Sequence, residues 1–201
     1  MKIKKFLPSI IFSIFFILNP GKVFSIEPDV FVQSTVNRAS SVLGDNFSKE
    51  HKIEELKKIA QETVDIKGIG LYTLGSYRKT LSNEQKKEYE LLFSKYFLKT
   101  FSSRLAEYSN PEIEVKSKKI LNKNYTMVSS ILVATEQRPE VKIDWRIYTK
   151  NPENLLIRDL IIEGLSLART QKEEFSSIIE NNDGNINALF ESLKEFINQS
   201  A

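Results

Sequence analysis

The sequence predicts an α+β domain, with helices before and after a four-stranded antiparallel meander and packed on that sheet. Three observations carry the prediction. Apolar residues recur every three or four positions before Pro111 and again from Phe175 onward, they alternate with a period of two in between, and the alternating segments are joined by connections of hairpin length. Helices, then antiparallel strands, then helices is the order of a domain that lays its helices on one sheet.

The N-terminus reads as basic Met1-Lys2-Ile3-Lys4-Lys5, an apolar run from Phe6 to Leu18, and a breaker Asn19-Pro20-Gly21 before Val23-Phe24-Ser25. This is the layout of a secretory signal peptide with small residues ahead of the cut. The run holds 13 residues and includes Pro8, whereas a bilayer-spanning helix takes about 20 apolar residues; an uncleaved anchor is the alternative. Residues 1–25 are therefore read as the signal, and residues 26–201 as one domain. Lys2, Lys4, Lys5 and Lys22 carry four positive charges and no acidic residue precedes Glu27, so export moves the formal balance from +3 to −1. No electrostatic footprint for nucleic acid remains. The chain has no cysteine, so the exported domain is expected to rest on its apolar core without disulfides and to carry no lipidated cysteine.

The first helix is marked by Val32, Val36, Ala39 and Leu43, and the second by Ile53, Leu56, Ala60 and Val64 after a capping Ser48. Asp65 is placed to cap a short helix running through Tyr77. Ser82-Asn83-Glu84-Gln85 is a capping box, in which the serine hydroxyl and the glutamine side chain satisfy orphan backbone amides. The helix it opens presents Tyr89, Phe93, Tyr96, Phe97, Phe101, Leu105 and Tyr108 on one face and is expected to reach almost to Pro111. The strands are expected at 112–121, 125–135, 141–148 and 155–162; in the third, Val141, Ile143, Trp145 and Ile147 share one face and Lys142, Asp144 and Arg146 the other. Two amphipathic stripes close the chain, Phe175 with Ile178 and Ile179, then Ile186, Leu189, Phe190, Leu193, Phe196 and Ile197.

The residue inventory argues against most catalysis. His51 is the only histidine and lies between Glu50 and Lys52, which suits a surface residue; with no thiol beside it, no zinc ligand set is formed. Gly68-Ile69-Gly70 with Gly75 lacks the spacing of a dinucleotide fingerprint and no strand precedes it, so these glycines are read as permitting close helix packing. Asp159 stands out in an apolar strand; a structural ion pair with Arg146 or Arg158 is the favoured reading over a catalytic acid.

Two segments resemble the MlaC family, also known as the toluene-tolerance auxiliary family. One runs Val64-Asp65-Ile66, then Leu74-Gly75-Ser76-Tyr77-Arg78 and Leu81-Ser82-Asn83-Glu84-Gln85-Lys86. The other runs Ile143-Asp144-Trp145-Arg146-Ile147, then Asp159 through Leu167, with Phe175 nine residues after Ser166. Their order and spacing cover nearly all of the chain after the signal. The resemblance implies an NTF2- or cystatin-like fold that holds phospholipid tails between helices and sheet with the headgroup near solvent. It further implies a periplasmic shuttle between an outer-membrane lipoprotein-containing complex and an inner-membrane ABC transporter complex. On that basis the expected lining is Leu71, Leu74, Tyr77, Phe93, Phe97, Phe101, Val128, Ile143, Trp145, Ile147 and Ile161, with Arg78 at the headgroup phosphate, and no catalytic residue, metal or cofactor. Charged substitutions of Leu74 or Trp145 are expected to abolish lipid retention with the domain still folded. An interaction module with a solid core and a hydrolase using an acidic pair are the competing readings.

Overall fold

The computed structural model describes residues 26–136 and 138–199; the expected signal segment lies outside them. Helices α1 (Pro28–Gly44), α2 (Lys49–Thr63), α3 (Ile66–Thr73) and α4 (Asn83–Leu105) lead into strands β1 (Ile113–Asn122), β2 (Tyr125–Leu132), β3 (Val141–Tyr148), β4 (Leu156–Ile162) and the short β5 (Leu165–Ser166), followed by α5 (Leu167–Glu180) and α6 (Ile186–Asn198). The sheet order is β1-β2-β3-β4-β5 with every pairing antiparallel, a meander with one short strand more than expected.

Local chemistry sets the helix boundaries. Ser48 accepts from the His51 amide and Asp65 from the Gly68 amide, while Ser82 and Gln85 complete the reciprocal capping box at the head of α4. Two helices end earlier than expected. Gly75 adopts φ +57 after Leu74, so α3 stops and a single 3-10 turn, Tyr77–Lys79, follows. At the end of α4 a turn and then Asn110, at φ 44 before Pro111, divert the chain, because a residue preceding proline is pushed out of the helical region. With 23 residues α4 still runs about 35 Å.

On the sheet, Thr126, Val128, Ser130 and Leu132 of β2 lie beside Ile147, Trp145, Ile143 and Val141 of β3, and these residues form the face turned to the interior. A bulge interrupts this alternation on β4. Ile147 is the register partner of Ile157, yet Arg146 is already the partner of Asp159, which leaves Arg158 as the extra residue. Beyond the bulge, Leu160 and Ile162 lie beside Trp145 and Ile143, whereas Ile161 lies beside Asp144.

Helices α1, α3 and α5 lie closest to the sheet, α1 over β1 and β2 and the other two over β4, whereas α4 packs against α2, α3 and α6. The α2–α3 junction is stitched along β4 by a parallel bridge from Val64 to Ile157 and by the Asp65 amide donating to the Ile157 carbonyl at 3.0 Å. At the opposite edge the Gln33 side chain of α1 donates to the Ile113 carbonyl and accepts from the Val115 amide, sealing the first residues of β1. Among the described residues no helix is long and apolar enough to cross a membrane.

Candidate functional site

The interior between α4 and the sheet is assembled from the expected residues. Leu74, Phe93, Val128, Ile143, Trp145 and Ile147 are all buried and belong to one apolar cluster, against which the half-buried Tyr77, Phe97 and Phe101 pack. The aromatic row along α4 is continuous: Phe93 to Phe97 at 6.1 Å between centroids, then Phe97 to Phe101 at 5.6 Å and nearly parallel. Such offset rings add to the area they bury. Phe93 also meets Tyr89 and the edge of Phe175. Leu71 is half-buried on α3. Most polar groups here are satisfied, the exception being Thr100 Oγ1 on α4, which is buried without a hydrogen-bond partner. The Trp145 indole donates to Ser130 Oγ at 2.8 Å, Ser130 donates on to the Ile143 carbonyl, and the Tyr89 hydroxyl shares a 2.7 Å bond with Thr73, which bonds the Gly70 carbonyl. Burial pushes the Tyr89 phenol far above its ordinary range and raises that of Tyr96, so both stay neutral hydrogen-bonding groups.

Two expectations change. Ile161 does not share the face of Val128 and Trp145, because the β4 bulge turns it to the side of Asp144; Leu160 and Ile162 take the inward places. Leu74 is wholly inaccessible and Trp145 is buried, so a charge at either would be forced into the core and cost the fold itself. Arg78 is exposed on the 3-10 turn and forms no ion pair among the described residues. Beside that turn, Lys172 crosses Gly75, where an added β-carbon would meet its Cε at 3.0 Å, and its ammonium sits 5.7 Å from the Tyr72 ring.

Two open grooves on the surface are lined by none of these residues. One runs between α1 and the start of β1, from Gln33 to Val115, and the other beside Asp65 and Glu90.

The singled-out polar residues have structural partners. Asp159 accepts from Ser166 Oγ at 2.6 Å and from the Ala168 amide at 3.0 Å, with Arg146 3.6 Å away, so it anchors the start of α5 to the sheet. Arg158 pairs instead with Asp65 and lies 4.5 Å over the Tyr148 ring. Gly68 and Gly70 are needed for contact: a β-carbon at Gly68 would strike the Asp65 carboxylate and the Arg158 guanidinium, and one at Gly70 would lie 2.7 Å from the Phe93 ring. His51 is exposed beside Phe47. Among the described residues no group of histidine and carboxylate side chains gathers as a metal site.

The architecture is that of a solved structure described as a phospholipid-binding protein from Ralstonia solanacearum in complex with a phospholipid. The two are 20% identical and superpose with a TM-score of 0.71 over 86% of this chain and 97% of that one. A family model described as MlaC protein matches residues 33–195. A match over most of the chain, ordered on the α+β meander described above, places this protein in the MlaC family.

Proposed function

We propose that this protein is a soluble, non-enzymatic carrier that encloses the acyl chains of a phospholipid and moves it through the periplasm between an outer-membrane lipoprotein-containing complex and an inner-membrane ABC transporter complex. The observation that carries the reading is the interior between α4 and the sheet. It is apolar, Trp145 bonds Ser130 and Tyr89 bonds Thr73 within it, and Asp159 lies on the other face of β4. The phospholipid described with the Ralstonia relative and the family match support it.

The energetics require enclosure. Each buried methylene is worth about 0.8 kcal/mol, so two long chains bared to water would cost on the order of 20 kcal/mol. A shallow groove does not offset that. Because α4 is packed on α2, α3 and α6 and shares one apolar cluster with the sheet, loading would part the helical layer from the sheet along the half-buried Phe97–Phe101 stack. Acyl chains would then replace contacts now made between the two layers. The headgroup would emerge near Arg78, Lys79 and Lys172, the cations around the Gly75 turn.

The test is native against denaturing mass spectrometry of the purified protein, together with the Phe97→Glu/Phe101→Glu variant. These positions are half-buried, so the variant is expected to retain the wild-type circular dichroism spectrum. The wild type is expected to carry a mass near that of one phospholipid, and the variant to lose most of it. A wild type without lipid, or a folded variant at wild-type stoichiometry, overturns the assignment.

A further inference from the structure

The far end of the β1–β2 hairpin carries a feature that the interior does not explain. Ile120 and Leu121 adjoin the turn and are 77% and 42% exposed. The register slips between Ile120 and Asn122, so Leu121 is the extra residue of a bulge, and bulges twist a strand end and re-aim its side chains. Two neighbouring apolar residues therefore both reach solvent at an extremity of the molecule.

The charge around them has one sign. No acidic residue occurs between Glu114 and Glu136, whereas Lys116, Lys118, Lys119 and Lys123 all do. Lys116 pairs with Glu114, and Lys118 with Glu27 and Asp29. Lys119 and Lys123, which flank the apolar pair, form no ion pair among the described residues. The adjacent β3–β4 connection, tied to the turn by the Thr149 amide donating to the Asn124 carbonyl at 2.8 Å, carries one charge of each sign in Lys150 and Glu153.

We propose that this hairpin tip docks on an anionic phospholipid bilayer, with Ile120 and Leu121 entering the interfacial region and Lys119 and Lys123 meeting lipid phosphates. A lipid surface fits better than an acidic protein. The tip of a two-stranded ribbon offers a footprint far below the roughly 800 Å² per partner of a stable protein interface, whereas shallow insertion of apolar side chains flanked by lysines is how peripheral proteins hold anionic membranes. The inference does not depend on the interior holding lipid, and its test does not measure cargo.

The experiment uses the protein as recovered from the cell, with its N-terminus read by intact mass, and Ile120→Trp as a reporter at the tip; the native Trp145 is buried and supplies a constant background. Vesicles containing phosphatidylglycerol are expected to shift the emission of Ile120→Trp to the blue, with the shift reversed by salt, and pure phosphatidylcholine to give little change. In co-sedimentation, Ile120→Asp/Leu121→Asp and Lys119→Glu/Lys123→Glu are each expected to weaken binding to the anionic vesicles by about tenfold or more. Tip emission that does not respond to anionic vesicles, or either double variant sedimenting like the wild type, overturns the proposal. An unresponsive tip that shifts on addition of an acidic peptide assigns the surface to a protein partner instead.

Discussion

Replacing Asp159 by alanine tests the division between structural and catalytic readings of the most conspicuous carboxylate. Asp159 is 3% exposed and its side chain accepts two direct hydrogen bonds, from Ser166 Oγ and the Ala168 amide. Hydrogen bonds to a charged group contribute about 1.5–3 kcal/mol each, and removing one member of a buried pair costs about 3–5 kcal/mol. Arg146 is partly solvated at 3.6 Å and adds little. Asp159→Ala should therefore lose about 3–5 kcal/mol, a large share of the roughly 5–15 kcal/mol that holds a domain folded. Asp159→Asn keeps one acceptor oxygen and should lose about 1–2 kcal/mol. Urea unfolding is the assay: with a slope of about 2 kcal/mol/M, the alanine variant's midpoint should fall by about 2 M at unchanged slope. An alanine variant within about 0.5 kcal/mol of wild type would refute the anchoring role. A hydrolytic activity lost without loss of stability would revive the acid-catalyst reading.

Gly70→Ala should cost about 1–3 kcal/mol by overpacking, since its β-carbon would come 2.7 Å from the Phe93 ring; thermal unfolding measures it, and an unchanged midpoint would mean that α3 and α4 separate freely. The raised phenols of Tyr89 and Tyr96 give an alkaline limit. Their folded values lie above the unfolded value near 10, so their contribution is complete below that pH and declines as pH climbs toward the folded values. Ultraviolet titration should accordingly show Tyr89 ionising only with unfolding and Tyr96 ionising later than a free phenol; full ionisation of all tyrosines in a folded protein near pH 10 would contradict their burial.

Much of this fold was legible because the signals are local. Ser48, Asp65 and Ser82 each sit where a side-chain oxygen must meet a free amide, and the helices begin there. The period-two stretch resolves into the expected strands, and Phe93, Val128, Trp145 and Ile147 fall in the core. What misled was any point at which the chain leaves its period. Strict alternation carried through Arg158 assigns Ile161 inward, but the bulge adds one residue and exchanges the faces beyond it. The adjacent charges of Arg158 and Asp159 in an apolar strand were the available sign of that bulge. α3 stops at the positive φ of Gly75, whereas α4 stops at Leu105, with Ala106 still in the helical region and the Asn110-Pro111 break four residues further on, so the sequence break sets only an outer limit for that helix. Ser130 was invisible as a site residue because its purpose, receiving the Trp145 indole proton, is a cross-strand relation.

Gln33 seals only the first residues of β1. Past Val115 the outer margin of the sheet keeps its amides and carbonyls facing outward, the arrangement through which β proteins join into continuous aggregates. The sequence along that stretch is Lys116-Ser117-Lys118-Lys119. Two copies approaching margin to margin would have to break the Lys116 and Lys118 ion pairs or crowd the unpaired Lys119 against its counterpart, with the repulsion strongest at low ionic strength. The lysines of that stretch thus act as gatekeepers against edge-to-edge pairing of this strand.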